Sequence, residues 1–251
     1  MHATIRRIRE LMVEFGDLES VDQEINNGPD YGHRIAEIRE SMKRIEALGI
    51  AQGLVDDLSP ACVRIVIAGS LCRGAAKVKD IEILAIPGPG KVIETRDLFD
   101  EVIETEHLCK VEERLEILME SGEWSWRKDV FTKRWGPRYK RLRHDTGICC
   151  DLFLTDKRRW GYQLAIRTGP AMFSKALVTL ALRRKYHCTD SLLHQHPKHD
   201  EKPCEKGENC PLIIPTLEEK DFLEALGLPW IEPAERTEEW LWRRVKEKVF
   251  K

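Results

Sequence analysis

The sequence has no apolar run long enough to cross a membrane, since a spanning helix needs about 20 such residues. Residues 1–15 contain no apolar stretch followed by a small-residue cleavage site, so secretion is not expected. These two absences predict a cytoplasmic protein, or a nuclear one in a eukaryote, with no membrane partner. No internal repeat is visible, which argues against a solenoid.

The sequence also lacks an excess of one charge, because 41 Lys and Arg stand against 43 Asp and Glu. A basic surface for nucleic acid must therefore be local. Residues 127–143 hold eight basic residues and one acid, with aromatic residues between them, which suits phosphate contacts and base stacking. A solvated pair of charged strands would have the same composition, so both interpretations stay open. The predicted contacts are Lys133, Arg134, Arg138, Lys140 and Arg141.

The hydrophobic pattern changes its period several times along the chain. Helical spacing predicts helices over 3–48 with a break at 26–30, and over 50–58, 97–122 and 170–186. Alternation and β-branched residues predict strands over 63–68, 80–86 and 148–154. The strands are separated by long helical stretches without a regular βαβ rhythm, so the predicted fold class is α+β. Residues 188–211 are expected to be irregular, and Thr216–Glu219 is expected to cap another helix.

Three acidic residues occur in the two later strands. Asp80 and Glu82 are two residues apart, so both side chains point to one face of their strand. Asp151 lies inside the apolar run Ile148–Leu154, where a carboxylate needs a partner or a metal. If the strands are neighbours, the three carboxylates converge into a site for two Mg²⁺ or Mn²⁺ ions about 3.5–4 Å apart, as in phosphoryl transfer. Otherwise Asp80 and Glu82 are a solvent face and Asp151 is a satisfied buried acid.

The first strand ends in Gly69-Ser70, and Arg73-Gly74 follows. A glycine lets the backbone approach a phosphate, while the hydroxyl and free N–H groups of a helix start bind the phosphate oxygens. Arg73 adds a permanent charge whose fork geometry suits phosphate. A lone Gly-Ser is usually a turn, but the combination with the downstream Asp-x-Glu is far more specific.

These residues carry a resemblance to family X DNA polymerases, the polymerase beta-like group. Residues 64–86, RIVIAGSLCRGAAKVKDIEILAI, resemble the nucleotidyltransferase signature of that family. Residues 147–177 resemble its later palm strand and Thr-Gly segment, and residues 215–236 resemble the end of its thumb. The resemblance implies metal ligands Asp80, Glu82 and Asp151, and it implies triphosphate contacts Gly69, Ser70 and Arg73. It also places Thr168 and Gly169 at the sugar and base, and Lys175 near the template base.

The resemblance implies a monomeric, metal-dependent enzyme that adds dNMP from a dNTP to the 3′-OH of a DNA primer in DNA repair, with primer/template DNA as its partner. Templated and non-templated synthesis both stay open. The implied organisation is a helical extension (1–46), a nucleotidyltransferase palm (47–169), a palm helix with a thumb (170–236) and an amphipathic helical tail (237–251). Two alternatives stay open. The acceptor could be RNA, a protein or a small molecule, or the chain could be a non-catalytic nucleic-acid-binding module.

The sequence departs from the family pattern at several positions. Glu82 replaces the more familiar second aspartate, and Pro170 stands where a serine is common. Arg167 precedes Thr168-Gly169 where animal members have an aromatic residue. No helix-hairpin-helix sequence is found in the N-terminal region, so the anchoring and lyase domain of the family is not expected.

One segment is unusually rich in cysteine and histidine. Seven such residues fall within 24 positions, which could supply a tetrahedral structural Zn²⁺ site, although the spacing matches no standard pattern. The alternative is a polar insertion in the thumb. The residues are His187, Cys188, His194, His196, His199, Cys204 and Cys210.

Overall fold

A mixed β-sheet lies at the centre of the computed structural model, which describes residues 31–96, 102–127, 135–195 and 207–249. Its strands are β1 (Cys62–Ala68), β2 (Asp80–Pro87), β5 (Trp124–Trp126), β6 (Trp135–Gly136), β7 (Tyr139–His144) and β8 (Cys149–Leu154). Their order across the sheet is β1-β2-β8-β7-β5, and the short strand β6 pairs with β7. Strands β2 and β8 run parallel, and the other pairs are antiparallel.

One face of this sheet is covered by two helices, α1 (Tyr31–Leu58) and α3 (Lys110–Glu120). Alternate residues of β2 and β8 point into this layer and are fully buried, as are apolar residues of both helices. Burial of these side chains is the main driving force for this half of the fold. The core of the layer includes Leu54, Ile81, Ile83, Leu115, Leu142 and Leu152.

Among the described residues, helix α4 (Trp160–Thr168) covers one end of the opposite face. There, Leu84 and Phe153 pack against Trp160, whose ring is also covered by the Arg64 guanidinium at 4.2 Å. The other end of this face carries the three acidic residues predicted from the sequence. The α+β class is therefore confirmed, with a sheet that is covered by helices on one face and left partly open on the other.

A second hydrophobic core follows α4. It is formed by helices α5 (Ala171–Arg183), α6 (Glu219–Ala225) and α7 (Glu238–Val249) around a small sheet. That sheet consists of β9 (Tyr186–Thr189), β10 (Leu192–Gln195) and β11 (Ile213–Ile214). Fully buried members of the core are Phe173, Leu177, Leu193, Phe222 and Leu241.

Helices α4 and α6 join the two cores. The Gly161 amide donates to the Thr216 carbonyl at 2.9 Å. A Cβ atom at Gly161 would stand only 2.1 Å from the Glu218 carbonyl oxygen, so the close approach depends on glycine. The Arg64 guanidinium also donates two hydrogen bonds to the Glu218 carboxylate, at 2.7 and 2.8 Å. Strand β1 and helix α6 are thereby fixed together.

The predicted helix over 97–122 is wrong in its first half. Strands β3 (Lys91–Arg96) and β4 (Val102–Leu108) pair antiparallel as a separate ribbon, and α3 begins only at Lys110. The reason is visible in residues 102–106, Val-Ile-Glu-Thr-Glu, where β-branched residues favour a strand over a helix. Residues 97–101 lie outside the described part of the chain.

Other local predictions also need correction. The predicted helix over 50–58 and the end of the one over 3–48 are a single helix, α1, because Gly49 and Gly53 are tolerated in its interior. Residues 188–195 were expected to be irregular but form the β9–β10 hairpin, whose turn places Asp190 and Ser191 at positive φ. The capping box is formed by Glu218 and Asp221, two residues later than predicted.

Among the described residues, no helix is both long enough and apolar enough to cross a membrane. Residues 3–30, for which the sequence predicts helix, lie outside the described residues.

Candidate active site

The three predicted carboxylates lie on two paired strands. Strands β2 and β8 are parallel neighbours, and Glu82 is directly opposite Asp151 in the register. Asp80 lies opposite Cys149, two residues earlier in the same strand pair. Because side chains alternate along a strand, all three carboxylates project from the same face of the sheet. The structure thus brings together the residues that the sequence could only suppose to be neighbours.

Burial and mutual repulsion shape the electrostatics of this group. Burial raises the pKa of Asp80, and the neighbouring Asp151 charge raises it further. Burial also raises the pKa of Glu82, with Asp80 as the next largest contribution. Removing carboxylates from water and placing them near each other both favour the protonated form. A cation that enters this site would relieve that repulsion.

Asp151 has two polar partners in β7. The Arg141 Nε donates to its Oδ1 at 3.1 Å, and both side chains are 16% exposed. The Tyr139 hydroxyl also bonds to Asp151, and burial together with this bond raises the pKa of Tyr139 to about 12. The tyrosine therefore stays protonated at neutral pH and acts as a donor. Asp151 therefore accepts hydrogen bonds from two side chains of the strand beside it.

A one-turn helix, α2 (Gly69–Cys72), places the end of β1 against Glu82. Gly69 adopts φ +65°, in the left-handed region that disfavours side chains. A Cβ atom at Gly69 would lie 2.0 Å from Oε2 of Glu82. Gly69 is therefore required both by its backbone angle and by the space that the Glu82 carboxylate occupies.

A cavity of about 540 Å³ opens beside the carboxylates. It lies between the ends of β1 and β2 and the junction of α4 with α5. Four basic and two acidic side chains line it, so the cavity is highly charged. The lining residues are Ser70, Arg73, Lys77, Lys79, Asp80, Glu82, Ile166, Arg167, Gly169, Ala171 and Ser174.

Three polar atoms in and around this cavity are buried without a hydrogen-bond partner. They are the hydroxyl oxygens of Ser70 and Thr168 and the Nε of Arg167. Buried polar groups are normally satisfied, so several unsatisfied groups in one place indicate a site for a polar ligand. Ser70 and Thr168 belong to the predicted nucleotide contacts.

Two arginines flank Glu82 inside the cavity. The Nη1 of Arg73 donates to the Thr168 carbonyl at 2.6 Å, which ties the end of β1 to the end of α4. The guanidinium of Arg167 lies 3.7 Å from the ring centroid of Phe153. Both charges act against the rise of the Glu82 pKa. From the sequence, Arg167 is recognised only as a departure from the family pattern. Its position one residue before Thr168 is the signal that could have placed it in the site.

The predicted nucleic-acid contacts in β7 divide between the two faces of the sheet. Lys140 is 2% exposed, points toward α3 and is hydrogen-bonded to Glu112. This burial does not fit the predicted contact of Lys140 with nucleic acid, so Lys140 is left out of the proposal below. Its neighbour Arg141 points to the opposite face and reaches Asp151. A strand alternates its side chains, so a basic run in sequence does not make one basic surface.

The remaining predicted contacts are placed as follows. Arg138 forms an ion pair with Asp190 in the β9–β10 turn. Lys175 is exposed on α5, close in sequence to the cavity residues Ala171 and Ser174. Lys133 and Arg134 lie outside the described residues, and their roles stay predictions.

Within the described part of the chain, no three His, Cys, Asp or Glu side chains are arranged tightly enough to hold a metal ion. In the group formed by Asp80, Glu82 and Asp151, one oxygen of Asp151 accepts a hydrogen bond from Arg141. For the zinc prediction, His187 and His194 are opposite each other in the β9–β10 register and are buried, and Cys210 is buried as well. His196, His199 and Cys204 lie outside the described residues, so the zinc site stays a prediction.

Comparison with known proteins agrees with this architecture. Residues 163–237 match the family model described as the DNA polymerase beta thumb. A search of curated proteins found no match. The ternary P/T complex of Leishmania infantum polymerase beta shares 14% sequence identity at a TM-score of 0.56, and the match covers 90% of this chain and 88% of that chain. The ternary gap complex of the same polymerase shares 15% identity at a TM-score of 0.56, covering 77% and 69%.

The fold is therefore like that of polymerase beta, and residues 163–237 match the thumb of that polymerase. Both similarities agree with the family X resemblance that the sequence motifs indicated.

Proposed function

We propose that the protein is a metal-dependent DNA nucleotidyltransferase that transfers dNMP from a dNTP to the 3′-OH of a DNA primer. The observation that supports this most strongly is the juxtaposition of Asp80, Glu82 and Asp151 with a charged cavity in which the buried Ser70 hydroxyl has no hydrogen-bond partner among the described residues. The thumb match favours a nucleic-acid acceptor over a small molecule. A role in DNA repair, and action as a monomer, are proposed from the family resemblance alone.

The residues of the chain divide the work in this proposal. Ser70 and Arg73 bind the triphosphate, because a hydroxyl and a guanidinium at the start of a one-turn helix offer donors to phosphate oxygens. Gly69 leaves room for the Glu82 carboxylate beside them. Thr168 and Gly169 form the wall against which the sugar and base would lie. Asp151 accepts the proton of the primer 3′-OH. The 3′ oxygen of the primer then attacks the α-phosphorus of the dNTP, and pyrophosphate leaves.

The carboxylates offer only oxygen donors, which is the ligand type preferred by Mg²⁺ and Mn²⁺. Asp80, Glu82 and Asp151 would hold the two ions, and these ions would stabilise the negative charge that develops during phosphoryl transfer. Arg141 bonds to one oxygen of Asp151. Each carboxylate oxygen has two lone pairs, so Asp151 can bind a cation while it keeps this hydrogen bond. The raised pKa values of Asp80 and Glu82 agree with a site that is more stable with cations than without them.

The test is primer extension with Asp151→Asn. Labelled primer, primer-template and gapped duplex are each incubated with all four dNTPs and Mg²⁺ or Mn²⁺. The variant should keep its fold and lose transfer activity by roughly 10²–10⁴, because one carboxylate that acts in the transition state is gone. Asp56→Asn is the matched control, since Asp56 is an exposed residue of α1 whose carboxylate accepts a hydrogen bond from Gln52 in the same helix.

Extension by Asp151→Asn at the wild-type rate would exclude the proposed site. Extension of none of the DNA substrates by the wild type would instead favour another acceptor, and the same assay with an RNA primer is the next step. A structural Zn²⁺ is proposed for the Cys/His segment and is tested separately, by metal analysis of protein purified without a His tag. Less than about 0.2 zinc per chain would count against it.

A further inference from the structure

Arg167 occupies an unusual position for a charged side chain. It is the second-last residue of α4, and its guanidinium carbon lies 3.7 Å from the centroid of the Phe153 ring, on the sheet face that carries the carboxylates. Its Nε is buried and has no hydrogen-bond partner. An arginine held by an aromatic ring but lacking a partner for a buried donor is prepared to bind a further acceptor.

The surroundings of Arg167 indicate which acceptor that is. Arg167 lines the same cavity as Arg73, Lys77 and Lys79, and the unpaired Ser70 hydroxyl lies there too. Four cations around one cavity exceed the charge of the two carboxylates that line it, so the cavity as a whole attracts an anion. A guanidinium presents paired N–H donors that match the oxygens of a phosphate.

We propose that Arg167 binds the polyphosphate of the incoming nucleotide together with Arg73, which makes nucleotide binding in this chain partly independent of divalent metal. The proposal rests on the proposed function, because it deepens the use of the same cavity. Arg73 is fixed by its bond to the Thr168 carbonyl and Arg167 by Phe153, so two guanidiniums are held in place before the ligand arrives. Pre-ordered donors lose little entropy when they bind.

The alternative role for Arg167 is that of a counter-ion for Glu82. Its positive charge partly offsets the rise of the Glu82 pKa that burial and Asp80 cause. The two roles make opposite forecasts. As a counter-ion, Arg167 competes with a metal for Glu82, so its removal should tighten metal binding and leave polyphosphate binding unchanged. As a polyphosphate ligand, its removal should weaken polyphosphate binding in the absence of any metal.

The experiment measures binding of inorganic tripolyphosphate and of dATP by calorimetry in EDTA, and binding of Mn²⁺ without nucleotide. Arg167→Met should weaken both anions roughly 10- to 100-fold, the range expected for losing hydrogen bonds to a charged group, and Arg167→Lys should recover part of the loss. Arg183→Met is the matched control. Arg183 is also in the last turn of its helix and also lies over an aromatic ring, Trp242 at 4.7 Å, but it does not line the cavity.

Unchanged anion binding by Arg167→Met, or tighter Mn²⁺ binding as its only effect, would overturn the proposal. Arg73→Met separates this failure from that of the proposed function. If Arg73→Met weakens anion binding and Arg167→Met does not, only the role of Arg167 is lost. If the wild-type protein binds neither anion in EDTA but binds dATP with Mg²⁺, metal-independent binding is excluded and the cavity assignment stands. If it binds dATP under neither condition, the nucleotide cavity itself is wrongly assigned. Should Arg167→Met fail to fold, Arg167→Gln replaces it in the same comparison.

Discussion

At the scale of single residues, the groups around Glu82 shift its pKa in opposite directions. Burial and the Asp80 charge favour its protonation, whereas Arg167 and Arg73 favour its ionised form. The Gly69 backbone lies so close to this carboxylate that a Cβ atom at Gly69 would stand 2.0 Å from Oε2 of Glu82. Such crowding of like charges is unfavourable for folding and is kept where function requires it.

The first residue-scale prediction concerns stability and pH. The pKa of Asp80 is raised in the folded state, so its ionised form destabilises the fold once the pH exceeds the usual carboxyl range. Asp80→Asn should therefore melt at a higher temperature than the wild type at neutral pH, in the absence of divalent metal. The difference should shrink as the pH falls through the raised pKa of Asp80 toward about 4, the ordinary carboxyl pKa, because the wild-type carboxyl then takes up a proton.

Thermal unfolding followed by circular dichroism in EDTA measures this difference. The exposed substitution Asp56→Asn should show no comparable dependence on pH. A difference between Asp80→Asn and the wild type that grows as the pH falls would contradict the assigned direction of the pKa shift.

The second residue-scale prediction concerns Gly69→Ala. The added Cβ would lie 2.0 Å from Oε2 of Glu82, at a φ of +65°. The backbone angle alone should cost roughly 1–2 kcal/mol of stability, and the clash should displace Glu82 and abolish most nucleotide transfer. Gly122→Ala is the control, because Gly122 has φ +81° but no atom within 4 Å of the added carbon. It should lose similar stability and keep full activity. Equal activity in both variants would mean that the position of Glu82 does not matter for transfer.

At the scale of elements, the contact between α4 and α6 holds the two cores together. Gly161 of α4 meets the Thr216 and Glu218 carbonyls, and Arg64 of β1 binds the Glu218 carboxylate. The cavity is lined by residues at the C-terminal end of α4, so the placement of α4 also positions Arg167 and Gly169. This junction is therefore a structural requirement of the site.

The element-scale prediction is that Gly161→Ala lowers the free energy of unfolding by about 1–3 kcal/mol, the usual cost of inserting a methyl group into a packed contact. Gly53→Ala is the matched change in α1, where the added carbon meets no atom within 4 Å. It should raise stability by up to about 1 kcal/mol, because alanine is the better helix former. Urea unfolding of both variants measures the two effects. A neutral Gly161→Ala would show that α4 and α6 can separate without loss.

Elements with a strong local pattern could be predicted from the sequence, and those decided by tertiary contacts could not. Strands β1 and β2 closely follow the alternation that contains their Val and Ile residues, and β8 follows its apolar run. Helix α4 was missed because it is only nine residues long and is stabilised by Trp160 against the sheet. Strand β4 was missed because an acidic sequence was interpreted as helix, although its β-branched residues pair with β3.

The candidate site shows the same division. The spacing of Asp80 and Glu82 fixed their common face, and the polymerase-like motif pointed to Asp151. The sequence could not give the parallel pairing of β2 with β8, which places Glu82 opposite Asp151, because register is a property of two strands. It also could not show that Lys140 and Arg141, adjacent in sequence, point to opposite faces of the sheet.

At the scale of the whole molecule, the charge of the chain is almost balanced, so DNA binding has to depend on where the basic residues point. Three of the five predicted contacts in residues 127–143 are already paired: Arg138 with Asp190, Lys140 with Glu112, and Arg141 with Asp151. Lys133 and Arg134 lie outside the described residues, so their contact with DNA is predicted from the sequence alone. Exposed phosphate contacts and buried ion pairs respond differently to substitution, and this difference can be measured.

The whole-molecule prediction contrasts the double variant Lys133→Ala/Arg134→Ala with Lys140→Ala. If the first two contact phosphates, their loss should weaken duplex binding and reduce the slope of log affinity against log salt by about 2, since each contact contributes about 0.9. Lys140→Ala should leave that slope unchanged and instead lower the free energy of unfolding by roughly 1–3 kcal/mol, because it empties a buried position and leaves Glu112 without its partner. Fluorescence anisotropy across a salt series and urea unfolding measure the two quantities on the same proteins. A reduced salt slope for Lys140→Ala would mean that its ammonium leaves Glu112 to reach DNA, and an unchanged slope for the double variant would move the DNA path away from residues 133–134.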